Sequence, residues 1–327
     1  MSRCNLICGG GSSVSEPMSA DVVRVPEGPD AGMILHTGDP FGEQRAMSTG
    51  NGVLHLGSRE VFTVTGPDRL TWLHSLSSQD LAGLRPGMGV DALVLSPNGH
   101  VEHGFVVVDD GEHCWCWTEP GAREGLLGFL ESMKFWTDVR CEPRDDLTVW
   151  WIGNREQAPE AVAIAQTPIG DGRLMVLPGD VPVSGRIVGQ WAHEALRVVA
   201  GVPRIGADTD ARTLPNEIGL HGTALDKGCY RGQETVARVH NLGRPPRRLV
   251  RLLFDGDLPT VGAAIMHGDK QVGVLTSPVQ HYELGPVGLS LVKRPVPVDA
   301  TLVVSGIAAA QEAIVDPGIG EHFRPQL

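Results

Sequence analysis

The sequence of 327 residues has few cysteines and no long apolar run, and these absences exclude several classes of protein. Its six cysteines are scattered and none forms a CxxC pair, so we expect neither a disulfide scaffold nor a metal site. The longest apolar runs, such as 105–108 and 161–165, are far shorter than the roughly 20 residues that span a bilayer, so we expect no membrane segment. The chain does not begin with a basic region followed by an apolar stretch, and we therefore expect a reduced, cytoplasmic setting.

Positive charge is also scarce, because 27 Lys and Arg residues stand against 39 Asp and Glu residues, for a net charge of −12. This balance disfavours a general nucleic-acid binder. Residues 227–251 are the exception, since only Glu234 opposes the basic residues there. The basic residues are Lys227, Arg231, Arg238, Arg244, Arg247, Arg248 and Arg251. Two interpretations of these residues stay open. They form either a patch that binds phosphate, a ligand carboxylate or RNA, or a solvated linker. The small number of aromatic residues disfavours direct RNA binding.

The sequence pattern divides the chain into three parts. Residues 1–45 are rich in Gly, Ser, Pro and Asp without an apolar period, so we expect them to be poorly ordered, and Met18 is an alternative start. Residues 46–244 mix predicted strands and helices, which indicates an α+β region of two lobes. Residues 245–327 alternate short Val- and Leu-rich stretches with Gly, Pro and Asp turns, which predicts a small antiparallel β-barrel.

Several elements of the α+β region are well marked. Residues 90–95 and 100–108 predict a hairpin, joined by a turn at 96–99. Apolar residues at helical spacing predict helices at 122–134 and 190–199. A CxC pair, Cys114 and Cys116, lies on a predicted strand with both side chains on one face, and core packing is the preferred interpretation.

The most informative stretch is 227–234, where Gly228 and Gly232 flank a cysteine. Lys227 and Arg231 are close to Cys229 in sequence, and a nearby cation favours the thiolate, the nucleophilic and metal-binding form. Cys229 is therefore either a reactive, ligand-facing thiol or a small buried residue of a tight turn. One cysteine cannot hold an iron–sulfur cluster by itself, so only a transient cluster contact stays open.

Residues 227–234 resemble the K-G-C-Y-x-G-Q-E signature of the YgfZ-type folate-binding proteins. These proteins are in the superfamily of the glycine-cleavage T-protein, an aminomethyltransferase. Stretches that also resemble the superfamily are 64–68, 96–100, 195–203 and 215–217. The resemblance runs from about residue 50 to the C-terminus and implies an α+β fold, a three-lobed cloverleaf around a central folate pocket with a C-terminal antiparallel β-barrel.

The same resemblance implies a function. The implied cofactor is tetrahydrofolate or a one-carbon derivative, and the implied role is assembly or repair of iron–sulfur proteins, with an indirect effect on tRNA modification. Folate and client iron–sulfur proteins are the expected partners of a monomeric chain. Cys229 and Lys227 are the candidate catalytic residues. The candidate folate-binding residues are Tyr230, Arg231, Gln233, Glu234, Arg197, Glu194 and Trp191.

The sequence departs from the aminomethyltransferase pattern at the acidic pair that follows the turn at 96–99. Glu102 and His103 stand there, so Glu102 is the candidate carboxylate for an alternative function, a folate-dependent aminomethyl- or demethylase-type transferase. A solvated strand face is the other interpretation of this pair. Val199 stands where the superfamily helix often has a pterin-binding Glu, and Trp191 either packs in the core or stacks on the pterin. Glycine cleavage itself is not expected.

Overall fold

Alternating apolar side chains build three large antiparallel sheets in the computed structural model, which describes residues 22–242 and 245–318. The strands are β1 (Val23–Arg24), β2 (Ile34–His36), β3 (Val53–His55), β4 (Glu60–Thr65), β5 (Gly89–Leu95), β6 (Val101–Asp109), β7 (His113–Thr118), β8 (Arg140–Pro143), β9 (Leu147–Gly153), β10 (Ala163–Gln166), β11 (Gly172–Pro178), β12 (Arg247–Phe254), β13 (Ala264–His267), β14 (Lys270–Val274), β15 (Ser277–His281), β16 (Gly285–Lys293), β17 (Leu302–Val304) and β18 (Ile307–Ala313). The helices are α1 (Pro40–Ser48), α2 (Arg69–Leu76), α3 (Arg123–Ser132), α4 (Gln190–Ala200) and α5 (Gln233–Leu242), with a 3-10 turn at Pro215–Ile218. Within these ranges, every helix is too short or too polar to cross a bilayer.

The first sheet has the strand order β5-β6-β7-β4-β8 and contains the predicted hairpin. β5 and β6 pair antiparallel, with Ala92 opposite Phe105, which confirms that prediction. Side chains alternate across the sheet, so Phe62, Cys114 and Cys116 pack against α2 and α3 on one face. The core position expected for the CxC pair is therefore confirmed.

The second sheet, in the order β10-β11-β9-β3, covers the other face of the first. Trp151 of β9 and Ala165 of β10 are buried in a cluster that also contains Trp115 and Trp117 of β7. Leu196 of α4 completes the same cluster. The two sheets and α4 therefore meet around a shared apolar core.

The C-terminal strands form one seven-stranded antiparallel sheet, in the order β14-β13-β17-β18-β12-β16-β15. Val250, Leu252, Ile265 and Leu302 are fully buried in its core. The sheet curves into a half-barrel. The α+β class and the antiparallel character of this region are confirmed.

The prediction that residues 1–45 are poorly ordered is wrong for 22–45, which contain β1, β2 and the start of α1. Polar contacts hold this segment in place. The prediction was based on the spacing of apolar residues, which carries no information about such contacts. Oε2 of the buried Glu43 accepts a hydrogen bond of 2.8 Å from the Gly189 amide at the start of α4. Residues 1–21, with Met18, lie outside the described residues.

Candidate functional site

A cavity of about 270 Å³ lies between the first two sheets and is closed by α4 and residues 202–205. Apolar side chains from both sheets, such as Val106, Trp117 and Leu174, form much of its wall. Charged and polar side chains converge on it from separate elements, and they are Arg59, Asp91, Glu119, His193, Arg197, Arg204 and His221. An apolar cavity with a few convergent polar groups is the usual form of a small-molecule site.

Arg197 organises the α4 side of the cavity, and it is only 2% exposed. Its Nε and Nη2 donate to Oε2 of Glu194 at 3.0 and 2.8 Å, and Nη2 also donates to Ser277 at 2.7 Å. Its Nη1 donates to Oδ2 of Asp208 and to the Val202 carbonyl, both at 2.7 Å. Since every guanidinium nitrogen already has an acceptor, Arg197 positions its neighbours rather than offering free donors to a ligand.

His193 and Glu194 carry polar atoms that are buried without a partner. Nδ1 of His193 lies 3.5 Å from Oε1 of Glu194, and neither atom has a hydrogen-bond partner in the described residues. Burial opposes ionisation of Glu194, but the Arg197 charge holds its pKa well below the ordinary value. Burial lowers the pKa of His193, so this ring is neutral near pH 7. His193 lines the cavity, whereas Glu194 is not a lining residue and contacts the two lining residues His193 and Arg197. A neutral imidazole on the wall and a carboxylate next to it therefore have unused hydrogen-bonding capacity.

Two other groups of the cavity wall are paired across separate segments. Nε2 of His221 lies 3.5 Å from Oδ1 of Asp91. Burial lowers the pKa of His221, but the Asp91 carboxylate more than offsets this and raises it overall. The carboxylates on the cavity wall are Asp91 and Glu119. The candidate Glu102 is not among the lining residues of this cavity.

Residues 227–232 lie away from this cavity, at the end of α2. The Lys227 ammonium is buried and donates to the carbonyls of His74, Ser77 and Gln79, the last two at 2.7 and 2.9 Å. The His74 carbonyl belongs to the last turn of α2 and the other two follow the helix, a place where a cation is favoured. Burial lowers the pKa of Lys227 to about 8, so the ammonium stays charged at neutral pH. Lys227 is thus an anchor for the loop, and its amine is directed into the carbonyl cage.

The remaining signature residues divide between the core and the surface. Tyr230 is 8% exposed, and its ring lies 5.1 Å from the Lys227 Nζ, so it packs in the core. Nε2 of Gln233 contacts the Lys227 carbonyl at 3.5 Å, whereas Glu234 is exposed on α5. Cys229 is a free thiol and is exposed, which excludes the interpretation of a small buried residue.

Glu102 lines a second, open cavity of about 650 Å³. Its Oε2 accepts a bond of 3.0 Å from Arg231, whose guanidinium also lies 5.4 Å from the Phe129 ring. The second cavity shares Gly104, Thr118, Glu119 and Ile205 with the first, so the two lie side by side. Trp191 is outside both linings, with its ring 5.7 Å from that of His36 on β2.

The basic residues of 227–251 do not form a continuous open patch. Arg247 pairs with Asp210 and Glu217, and Arg251 pairs with Glu312. Arg248 is 1% exposed and donates to the Arg294 and Val296 carbonyls and to Gln311. Arg238 is exposed on α5, and Arg244 lies outside the described residues.

Of the candidate site residues, Arg197 lines the first cavity and Glu194 is bonded to it, while most of the cavity wall was not predicted from the sequence. The residues missed are Arg59, Asp91, Glu119, His193, Arg204 and His221. They come from strands, a helix and loops up to 162 positions apart, from Arg59 to His221. No local motif contains them, so only the tertiary fold brings them together.

Comparisons with known proteins place this geometry in context. No protein-family model matches the chain. The chain is 27% identical over 243 residues to the human mitochondrial iron–sulfur cluster assembly factor IBA57, covering 63% of the chain and 67% of that protein. It is 25% identical over 219 residues to the tRNA-modifying protein YgfZ of Klebsiella pneumoniae, covering 57% of the chain and 67% of that protein.

A solved structure shares the fold. The glycine cleavage system aminomethyltransferase T from Bartonella henselae superposes with a TM-score of 0.77, covering 92% of this chain and 95% of that one. The sequence identity of the pair is 16%, so this likeness concerns the fold alone.

The close packing of the loop on the β5–β6 turn yields a stability prediction. Gly232 has a φ of +80°, and a Cβ there would lie 2.5 Å from the Ser96 carbonyl oxygen. Gly232→Ala should therefore lower the free energy of unfolding by about 1–3 kcal/mol. Gly228→Ala is the matched control, because a Cβ at Gly228 meets nothing within 4 Å. Denaturant titration should show a lower midpoint for Gly232→Ala alone; equal midpoints would contradict the packing.

The exposure of the cysteines yields a labelling prediction. Iodoacetamide should modify Cys229 in the native protein, because the reaction needs an accessible thiolate. It should spare the buried Cys114 and Cys116, and Cys141, whose pKa burial raises to about 12. Mass spectrometry of the labelled peptides measures the outcome, with urea-unfolded protein as the control in which all six cysteines of the chain react. Native labelling of Cys116 before Cys229 would contradict the placement.

Proposed function

Because the chain is a YgfZ/IBA57-type member of the aminomethyltransferase superfamily, we propose that it is a tetrahydrofolate-binding accessory protein for the assembly or repair of iron–sulfur proteins. An indirect effect on tRNA modification would follow if its clients include iron–sulfur enzymes that modify tRNA. The names of the relatives support the iron–sulfur role, and the shared fold supports a central ligand site. A three-lobed arrangement, with boundaries near residues 45 and 245, belongs to the same proposal.

The proposal for the ligand is based on His193 and Glu194, whose Nδ1 and Oε1 atoms have no hydrogen-bond partner in the described residues. A pterin ring presents adjacent N–H donors on one edge, and a carboxylate is their natural acceptor because the hydrogen bonds are charge-assisted. Glu194 is ionised, and its Oε1 has no hydrogen-bond partner in the described residues, with Nδ1 of His193 at 3.5 Å and Nη1 of Arg204 at 4.0 Å. The residues present therefore fit a pterin. In this proposal they take the part of the pterin-binding Glu of the superfamily, whose position is occupied here by Val199.

The rest of the wall fits the same ligand. The Trp117 indole lies between the two sheets and suits a flat ring, because small-molecule pockets are lined mostly by apolar and aromatic side chains. Tetrahydrofolate, when bound, supplies amines that carry one-carbon units. The protein side chains here bind and orient it, with Arg197 holding the Glu194 carboxylate in place through two hydrogen bonds.

Cys229 supplies the contact with a client. The Lys227 cage fixes the loop on α2, so the exposed Cys229 thiol is held on an ordered surface. An accessible cysteine can attack a client disulfide, which forms a mixed disulfide and releases one client thiol, or it can touch a cluster transiently, whereas it cannot retain a cluster alone. The expectation of a cytoplasmic monomer stays a prediction.

The folate proposal predicts a residue-specific loss of affinity. Glu194→Gln removes the charge but keeps the size, and it should weaken tetrahydrofolate binding about 10- to 100-fold, since a hydrogen bond to a charged group contributes about 1.5–3 kcal/mol. Calorimetry under anaerobic conditions measures the dissociation constant. Glu234→Gln, at the exposed candidate position, should leave it unchanged. No binding by the unaltered protein at millimolar ligand would contradict the proposal.

The client proposal predicts a phenotype in cells that lack the native protein. Cells supplied with Cys229→Ala should show low activity of iron–sulfur enzymes at a normal amount of the variant. Cys141→Ala is the matched control, because its thiol is partly buried and its pKa is raised. Activities of iron–sulfur and unrelated enzymes in the same extract separate a specific from a general defect. Full activity with Cys229→Ala would rule out the cysteine role.

A further inference from the structure

Three arginines line the first cavity, and their charges are compensated unequally. Arg197 has an acceptor for every nitrogen, as described above. Arg204 has Asp30 at 2.6 Å, Glu119 at 2.5 Å and Glu194 at 4.0 Å. Arg59 has Glu119 as its sole ion-pair partner in the described residues, and Arg204 shares that carboxylate. Arg59 is therefore the cavity arginine with the least neutralisation.

The unused donors of Arg59 adjoin the cavity. A guanidinium has five N–H donors, and the side chain of Arg59 uses Nη1 on Glu119 in the described residues. Its side chain is 12% exposed and belongs to the cavity wall. Burial and the nearby Arg204 charge lower the pKa of Arg59 to about 9, the direction expected for a cation without enough counter-charge. A bound anion would accept hydrogen bonds from the unused donors and would supply the missing counter-charge.

We propose that Arg59 is the anion receptor of the first cavity and binds a carboxylate or phosphate group of the ligand. If the ligand is a folate, which rests on the function proposed above, the group is the glutamyl carboxylate of its tail. The fork of the guanidinium matches a carboxylate or a phosphate in a bidentate arrangement. Glu119 stays paired with Arg204 when the anion arrives, so the wall does not lose its own ion pair.

Asp30 sets the strength of this receptor from outside the wall. It lies in the turn between β1 and β2, with Oδ1 accepting from Ser58 at 2.5 Å and Oδ2 facing Arg204. Its negative charge reduces the positive potential that an incoming anion meets at Arg59 and Arg204. Neutralising Asp30 should consequently strengthen anion binding, whereas removing Arg59 should weaken it. These opposite directions distinguish an anion receptor from a merely structural arginine.

The test compares Arg59→Met, Arg59→Lys and Asp30→Asn with the unaltered protein by calorimetry. The probes are tetrahydrofolate, tetrahydropteroate, which lacks the glutamate, and inorganic phosphate. Arg59→Met should weaken tetrahydrofolate binding about 10- to 100-fold and leave tetrahydropteroate within about twofold. Arg59→Lys should recover part of the loss, and Asp30→Asn should bind tetrahydrofolate more tightly. The matched control is Asp145→Asn, an acid that is 79% exposed and paired with Arg123.

The phosphate probe separates this inference from the folate proposal. Phosphate should raise the Tm of the unaltered protein, less so with Arg59→Met and more so with Asp30→Asn. If both folates fail to bind but this order holds, the folate proposal falls and the receptor stands with a phosphate-type ligand. If Arg59→Met weakens both folates equally, or if Asp30→Asn changes neither folate nor phosphate binding, Arg59 is not an anion receptor. If Arg59→Met does not fold, Arg59→Lys and Asp30→Asn decide the question.

Discussion

The structure around the cavity depends on one buried charge, the guanidinium of Arg197. It ties α4 to residues 202–208 and to the C-terminal half-barrel, through Glu194, Asp208 and Ser277. Asp208 in turn accepts from Thr276, so the charge network reaches the edge of the half-barrel. Removing one partner of a buried ion pair costs about 3–5 kcal/mol, because the other charge is left uncompensated. The same network leaves Oε1 of Glu194 without a hydrogen bond in the described residues, and the ligand proposal begins from that atom.

The cavity and the exposed cysteine are distinct places that one stretch of chain connects. His221 is part of the cavity wall, Lys227 is caged at the end of α2, and Cys229 follows at the surface. Most of the signature is therefore used to fix the loop, as Tyr230 in the core and Gly232 against Ser96 show. In this account a ligand inside the fold and a client outside it contact neighbouring parts of one segment of the chain.

The sequence predicted the elements whose signals are local. Period-2 alternation marked the β5–β6 hairpin, and helical spacing marked α4, because each pattern reflects which side of one element is buried. The signature predicted the resemblance to the YgfZ-type proteins for the same reason, because it is a contiguous motif. It did not predict that the Lys227 amine would turn into backbone carbonyls, or that Tyr230 would be buried. The Lys227 contacts depend on α2, which is about 150 positions earlier in the chain. The burial of Tyr230 depends on apolar side chains of β5, α4 and the half-barrel. Asp30 and Arg204 likewise meet only after folding, so the ordered segment at 22–45 was missed.

The central claim is that a pterin lies beside Glu194 and His193 in the first cavity. A crystal structure of the protein grown with saturating tetrahydrofolate tests it most directly. The account predicts ligand density between the first two sheets, with the pyrimidine edge of the pterin within hydrogen-bond distance of Oε1 of Glu194. Density in the second cavity against Glu102, with the first cavity free of ligand, would contradict it.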